Sequence, residues 1–262
     1  MVDTGDPEWD SYSHYTSKSA LGCFQFCPLQ YKKKYIDKIQ AAESYAIAIG
    51  KRIHAFMDTF FDEAHKINPA DWDMFILPEY TPYEQRMLSW FVNFERNRLF
   101  KICDGDFELW EPVAREIKVV NQEYELRGII DRLDCIDDKM IIVEYKTTKS
   151  IYKPSMMKEF GFYKLLLKDH PLLQGRKIDG GCVINPRVRQ VEFMNTSYES
   201  TILKALNKFK EAKESGVFNP TCSGAKYPIC KMCSSLAEAQ LFQCPEVYVG
   251  DEPLLSEGYP YY

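Results

Sequence analysis

The chain has 262 residues, of which 45% are hydrophobic and 27% are charged, and its formal net charge is −5. This composition is typical of a globular protein and excludes a chain that is disordered throughout. The negative charge counts against a protein whose whole surface binds duplex nucleic acid tightly, although a local basic patch, such as the lysines at 32–34, can still guide a strand. No apolar stretch resembles a signal peptide or a membrane span, so we expect an intracellular protein with reduced cysteines.

The N-terminal part of the chain predicts helices. Residues 1–16 are polar, contain Gly and Pro, and predict a flexible leader. The segments with helical periodicity are 17–37, 45–66 and 82–101. The first of them is expected to be interrupted at Pro28, because proline does not continue a helix. A connector rich in Pro and Asp lies at 68–80.

The rest of the chain predicts a mixed sheet flanked by helices. The segments with strand character are 107–120, 124–135, 139–147, 177–185 and 189–195, and those with helical character are 154–168 and 197–215. This order is typical of an α/β fold with a mixed central sheet. We therefore predict a single domain at 17–244, with a helical part at 17–101, an α/β core at 107–215 and a Cys-rich segment at 220–244. The acidic tail at 245–262 is expected to be disordered.

The segment between residues 124 and 146 has the clearest functional pattern. Two apolar runs flank Asp137-Asp138-Lys139, whose polar residues predict the turn of an antiparallel hairpin. Asp131 lies on the first strand. Glu144 and Lys146 lie two residues apart on the second strand, so both project from the same face. The predicted turn places Asp131 almost opposite Glu144.

Two carboxylates beside a lysine are suited to metal-assisted hydrolysis of phosphodiesters. The oxygens of Asp131 and Glu144 can bind Mg²⁺ or Mn²⁺, and the ammonium group of Lys146 can orient or polarise the attacking water. The alternative is a solvated strand face with alternating charges, which many antiparallel hairpins have. The metal site is favoured because the second strand begins as an apolar run, and charged groups beside a buried run are costly unless they are paired.

Several segments resemble one family in their sequence and in their order. Gly-Ile-Ile-Asp-Arg-Leu-Asp followed by Val-Glu-Tyr-Lys-Thr resembles the core of the PD-(D/E)XK nucleases. Other segments are similar to the RecB-type branch, which includes the CRISPR-associated exonuclease family and many phage exonucleases. They are Ser17-Lys18-Ser19-Ala20-Leu21, Cys27-Pro28-Leu29-Gln30-Tyr31, Gly50-Lys51-Arg52-Ile53-His54, Tyr163, and Cys230-Lys231-Met232-Cys233. The resemblance implies a restriction-endonuclease-like core with an N-terminal helical region.

The resemblance also implies roles for individual residues. Asp131, Glu144 and Lys146 match the catalytic positions of the family. His54 matches the nitrogen ligand of a metal that Asp131, Glu144 and the carbonyl group of Tyr145 also bind. The expected cofactor is therefore Mg²⁺ or Mn²⁺, held at the end of the predicted hairpin.

The helix after the hairpin departs from the family pattern. The family usually has Gln followed four residues later by Tyr, whereas this chain has Glu159 and Tyr163. Glu159 can add a carboxylate to the metal site or repel a phosphate, and both interpretations stay open, with the two residues as supporting candidates. Glu116 is a further candidate acid. Asp134 is expected to support the fold or to pair with Arg132.

The C-terminal cysteines predict a second, structural metal site. Cys230 and Cys233 have the spacing with which two thiolates bind one metal. In the iron–sulfur members of the family an N-terminal cysteine joins three C-terminal ones, which implies a [4Fe–4S] cluster held by Cys27, Cys230, Cys233 and Cys244. A zinc site in which Cys222 replaces Cys27, and no metal at all, are the alternatives.

The function implied is a metal-dependent DNA nuclease, an exonuclease on single strands or duplex ends, that attacks with a metal-activated water. A silent nuclease fold that serves as a DNA-binding or interaction subunit in repair, recombination or CRISPR adaptation is the alternative, and the intact acids and lysine argue against it. A glycosidase-like carboxylate pair is a third interpretation, against which the lysine and His54 argue. We expect DNA and DNA-processing proteins as partners, no membrane, and a location in the cytoplasm or nucleoid, or in the host cytoplasm if the chain is viral.

Overall fold

The structure is a computed structural model, and it describes residues 7–39, 45–220, 248–249 and 252–253. The chain groups into two compact units. The first consists of Met1–Tyr15 and Glu43–Ile202, and the second of Thr16–Ala42 and Leu203–Tyr262. The division into a leader, one domain and a tail stays a prediction.

The described helices match most of the helical segments predicted from the sequence. They are α1 (Pro7–Ser11), α2 (Lys18–Phe26), α3 (Pro28–Tyr31), α4 (Tyr45–Ala64), α5 (Pro82–Lys101), α6 (Phe107–Trp110), α7 (Lys153–Leu166) and α8 (Glu199–Ser215). Helix α5 has the predicted bounds because Thr81 and Glu84 form a reciprocal capping box and Pro82 occupies the first turn. No helix among these is long and apolar enough to cross a membrane.

Five strands of the first unit form a mixed sheet. They are β1 (Ala114–Asn121), β2 (Leu126–Ile136), β3 (Lys139–Tyr145), β4 (Ile178–Asn185) and β5 (Gln190–Met194). The first three strands are antiparallel neighbours, β4 runs parallel to β3, and β5 is antiparallel to β4. The parallel pair is connected through α7, as a crossover between parallel strands requires.

Helices cover both faces of this sheet, so the predicted α/β class is confirmed. On one face, apolar side chains of α4 and α5 form a core with Val143, Tyr145, Cys182 and Ile184. On the other face lies α7. A Cβ atom at Gly181 would lie 2.3 Å from the ring of Phe160, so glycine lets this helix approach β4 closely.

The hairpin of β2 and β3 has the predicted register. Pairing runs from the turn to Arg132 and Val143, and the next position along both strands places Asp131 opposite Glu144. The two aspartates of the turn have φ angles of 49° and 62°, in the left-handed region that Asp tolerates in tight hairpins. Strand β3 is buried along most of its length, as its apolar run predicts.

One sequence prediction in this unit needs correction, and another gains detail. Residues 107–110 were expected to begin a strand, but they form helix α6. Asp106 accepts hydrogen bonds from the amides of Glu108 and Leu109 and so caps a helical turn locally. The connector at 68–80 contains a 3₁₀ helix, Pro69–Phe75, whose Trp72 is fully buried in the core.

A buried ionic network, here named the core network, connects α5 to β2. It consists of Arg132, Asp134, Glu95 and Arg98. Arg132 donates two hydrogen bonds of 2.7 Å to Asp134, as the sequence predicted, and a third of 2.7 Å to Glu95. The indole of Trp110 also donates to Glu95. These contacts satisfy charged groups that would be very costly to bury alone.

The second unit contains α2, α3 and the part of α8 that begins at Leu203. Helix α2 ends before Pro28, which occupies the first position of α3, so the predicted interruption is confirmed. The ring of Phe209 packs at 5.0 Å from Phe24 and at 4.8 Å from Tyr31. Within the predicted tail, the backbone of Tyr248–Val249 pairs with that of Glu252–Pro253.

Candidate active site

The end of the hairpin brings together the acid and the lysine that the sequence singles out. Glu144 is 3% exposed, and its Oε1 accepts a hydrogen bond of 2.6 Å from Nζ of Lys146. Oδ2 of Asp131 accepts one of 2.7 Å from the backbone amide of Tyr145. The two carboxylates are thus held at one end of the sheet by a side chain and by the backbone.

His54 reaches this point from helix α4. Its Nδ1 lies 3.8 Å from Oδ2 of Asp131, and its ring meets the ring of Tyr145 edge-on at 5.9 Å. Gly50 lies one turn earlier, where a Cβ atom would lie only 3.1 Å from Oγ1 of Thr147. Glycine therefore lets α4 approach the segment after β3, and this approach brings His54 close to Asp131.

Helix α7 contacts both members of the Glu144–Lys146 pair. Oε2 of Glu159 accepts a hydrogen bond of 3.0 Å from Nζ of Lys146. One turn further, the hydroxyl of Tyr163 donates a hydrogen bond of 2.9 Å to Oε2 of Glu144. We name Glu144, Lys146, Glu159 and Tyr163 the site network. In this network Glu159 contacts Lys146, and the sequence did not indicate that contact.

Glu116, which the sequence indicated only as a further candidate acid, belongs to the same region. Its φ angle is 43°, and it interrupts the pairing of β1 with β2 at the position opposite Asp131. The pKa of its carboxyl group is raised above its usual value, first by partial desolvation and then by the carboxylates of Asp58 and Glu144. The positive φ angle, which only the structure shows, is the signal that sequence reasoning lacked.

Asp58 adds a further acid on α4. Desolvation raises the pKa of its carboxyl group, the nearby Asp62 raises it further, and Arg115, 3.5 Å away, opposes both. A region in which two neighbouring carboxyl groups have raised pKa values is one that a cation would stabilise.

The donor atoms fit a hard divalent cation. Among the described residues, no three His, Cys, Asp or Glu side chains are already gathered as a metal site. The 3.8 Å between His54 Nδ1 and Asp131 Oδ2 is nevertheless shorter than about 4.2 Å, twice the usual distance from Mg²⁺ to its ligands, so one cation can contact both atoms. Carboxylate oxygens of Glu144 can accept a metal together with a hydrogen bond. Carboxylate and carbonyl ligands suit Mg²⁺ or Mn²⁺, and the imidazole ligand favours Mn²⁺ of the two.

A cleft of about 860 Å³ opens beside these residues. Its walls include His54, Asp58 and Glu116 from the acidic region. They also include Thr147, Thr148 and three cationic side chains, those of Lys51, Lys149 and Arg187. Through His54, the site therefore borders a space lined by both acidic and basic groups.

The cysteine site falls largely outside the described residues. Cys27 is buried at the start of α3. Cys222, Cys230, Cys233 and Cys244 lie outside the described ranges. The cluster, the zinc site and the metal-free alternative therefore stay predictions.

Comparison with known proteins agrees with the geometry of the hairpin. The sequence model of the PD-(D/E)XK nuclease superfamily matches residues 15–236. A search of curated proteins gave no match. The matched segment covers most of the chain and includes α4, the hairpin and α7, and this superfamily generally hydrolyses phosphodiesters in nucleic acids. The chain therefore belongs to the PD-(D/E)XK nuclease superfamily.

Proposed function

We propose that the protein is a deoxyribonuclease that depends on Mg²⁺ or Mn²⁺ and hydrolyses phosphodiester bonds with an activated water. One observation carries the proposal. Glu144 and Lys146 are in contact at the end of the hairpin, and Asp131 lies 3.8 Å from His54 at the same end. Acid, acid, lysine and imidazole at one place are the groups that metal-assisted hydrolysis needs.

The residues of the site would have two roles in the reaction, metal binding and stabilisation of charge. Asp131, Glu144, His54 and the carbonyl group of Tyr145 would hold the metal, which supplies Lewis acidity and lowers the pKa of water. The ammonium group of Lys146 orients the attacking water and stabilises the negative charge that develops on the phosphate. The reaction proceeds by direct attack, without a covalent enzyme intermediate.

The order of the motifs supports a finer assignment within the superfamily. The Gly50-to-His54 segment, the hairpin and Tyr163 follow one another as in the RecB-type branch, which favours an exonuclease on single strands or duplex ends. We propose a location in the cytoplasm or nucleoid, or in the host cytoplasm if the chain is viral. The alternative is a catalytically silent subunit of a repair, recombination or CRISPR-adaptation complex. The complete set of acids, lysine and histidine argues against it.

The direct test is hydrolysis of labelled single-stranded and double-stranded DNA by the full-length protein with Mg²⁺, Mn²⁺ or EDTA. We expect cleavage with either metal and none with EDTA, and the product lengths give exonuclease or endonuclease action and polarity. A folded protein that binds DNA but cuts none of these substrates with either metal would support the silent subunit.

For the cysteines we propose a [4Fe–4S] cluster held by Cys27, Cys230, Cys233 and Cys244, with zinc as the alternative metal. A cluster would make protein purified without oxygen brown, because thiolate-to-iron charge transfer absorbs visible light. Metal analysis of two variants separates the alternatives. Iron lost in Cys27→Ser and kept in Cys222→Ser supports the cluster, zinc with the reverse pattern supports the local site, and a well-folded protein without metal contradicts both.

A further inference from the structure

We propose that Lys51, Lys149 and Arg187, here named the basic wall, bind phosphates of single-stranded DNA next to the bond that is hydrolysed. The inference rests on the proposed nuclease function and extends it from the reacting phosphodiester to its neighbours. The three side chains line the same cleft as His54 and Glu116.

The basic wall is assembled from three separate parts of the first unit. Lys51 lies on α4, three residues and about 4.5 Å of helix before His54. Lys149 follows Lys146 by three residues, and Arg187 lies in the turn between β4 and β5. In a protein with a net charge of −5, cations that converge beside a catalytic region form a local anion-binding surface.

The segment that carries Lys149 is held in place from the sheet. Asn185 is fully buried, and its side-chain amide donates a hydrogen bond of 3.0 Å to the carbonyl group of Thr148. The guanidinium group of Arg187 donates one of 3.3 Å to the carbonyl group of Thr147 and lies 5.7 Å over the ring of Tyr83. A strand that binds here meets a surface that is already ordered, which lowers the entropic cost of binding.

The cleft is large enough for part of a single strand. A volume of about 860 Å³ lies within the range of about 300–1,000 Å³ that is usual for small-ligand sites. This space suits a few nucleotides of a single strand. Thr147 also lines the cleft, and its hydroxyl group is a donor of the kind that binds phosphate oxygens.

The test measures binding separately from hydrolysis. A short fluorescent oligo(dT) is titrated with full-length protein in EDTA at several salt concentrations, and its anisotropy gives the affinity. The variants are Lys149→Ala and the double variant Lys51→Ala/Lys149→Ala. Arg187 is left unchanged because its substitution would also loosen the Thr147 segment. The control is Lys139→Ala at the other end of β3, about 20 Å along the strand.

Each lost phosphate contact should reduce the steepness of log affinity against log salt by about 0.7. At about 0.1 M salt this change corresponds to an affinity that is about fivefold lower. We therefore expect about fivefold weaker binding for Lys149→Ala and about twenty-five-fold for the double variant. Lys139→Ala should bind as the wild type does. Far-UV circular dichroism and thermal unfolding establish that the variants are folded.

Three results would overturn the inference. One is a double variant with the affinity and salt slope of the control. Another is displacement of the oligonucleotide by an equal concentration of inorganic phosphate, which would indicate a small-anion site. The third is equally tight binding of blunt duplex DNA with the same losses. A wild type that binds oligo(dT) as expected, but hydrolyses no DNA with Mg²⁺ or Mn²⁺, would contradict the proposed nuclease function, and the basic wall would then be a strand-binding site without hydrolysis.

Discussion

The two faces of the β2–β3 hairpin carry two ionic networks that differ in their contact with solvent. In the core network, the side chains of Arg132 and Glu95 are 1% and 0% exposed. In the site network, those of Lys146 and Glu159 are 21% and 20% exposed. Adjacent residues of one strand, Asp131 and Arg132, project toward these different surroundings. Charged side chains therefore serve the fold on one face, and on the other they stay partly open to solvent, where the proposed metal and substrate would bind.

Burial explains why the core network is closed. The two carboxylates beside Arg132 hold the pKa of its guanidinium group above its usual value although burial alone would lower it. For the hydroxyl of Tyr145 burial acts in the other direction and raises the pKa, so this group stays protonated. Groups that are fully paired and kept from water cannot exchange partners without a large energetic cost. The site network keeps part of its surface in solvent and does not have this constraint.

The largest effect on stability is expected from breaking the core network. Glu95→Ala leaves Arg132 and Arg98 with Asp134 as their remaining carboxylate in this network, so the core gains an uncompensated positive charge. We expect the free energy of unfolding to fall by about 3–5 kcal/mol. Urea denaturation measures it. The matched variant Glu159→Ala, which removes a carboxylate from the site network, should cost about 1 kcal/mol or less. Equal losses would show that the two networks do not differ in the way burial indicates.

Substitutions in the site network should lower activity much more than stability. Glu144→Ala removes a metal oxygen and Lys146→Ala removes the positive charge beside the phosphate, so each should slow hydrolysis by about a hundredfold or more. The melting temperature of Lys146→Ala should stay close to that of the wild type. Single-turnover cleavage with Mg²⁺ or Mn²⁺ gives the rates, with Lys139→Ala as control. Cleavage at the wild-type rate by either variant would remove these residues from the mechanism.

The sequence could predict the hairpin and the residues at its end because both depend on local rules. Two apolar runs and the turn-forming aspartates between them set the register, and the register places Asp131 opposite Glu144. The Arg132–Asp134 pair follows from the two-residue period of a strand. His54 could be assigned only through the resemblance of its motif, because nothing local relates a residue of α4 to the hairpin.

The other contacts could not be predicted because they join distant parts of the chain. Glu95 meets Arg132 across 37 residues, and that contact depends on how α5 packs on the sheet. Glu159 meets Lys146 only because α7 lies on the Glu144 face, and sequence periodicity does not specify a helix's position on a sheet. Helix α6 was missed for a local reason: its length of four residues is too short for a periodic signal.

A third, smaller effect is expected from the proposed metal ligand His54. His54→Ala should weaken the activation of hydrolysis by divalent metal about tenfold or more, because one ligand is lost. It should leave binding of oligo(dT) in EDTA unchanged. A nitrogen ligand favours Mn²⁺ over Mg²⁺, so wild-type activity should be higher in Mn²⁺ at equal concentration. Identical metal titrations for the wild type and His54→Ala would reject the ligand role.

The smallest effect is expected from Glu159, and it tests whether α7 positions Lys146. Nζ of Lys146 lies 2.6 Å from a carboxylate oxygen of Glu144 and 3.0 Å from one of Glu159. The ammonium group would therefore keep a carboxylate partner if Glu144 bound a metal. Glu159→Ala removes this second partner and should lower kcat about tenfold, or about 1.4 kcal/mol in the barrier, with KM unchanged.

Glu159→Gln keeps a hydrogen-bond acceptor for Lys146 and should recover most of the lost rate. In a Lys146→Ala background, Glu159→Ala should have no further effect, because the group that it positions is absent. A tenfold loss that persists in that background would show that Glu159 acts on the metal or the substrate directly. Tyr163 and Glu159 would then act independently, Tyr163 through its hydrogen bond to Glu144 and Glu159 through the metal or the substrate.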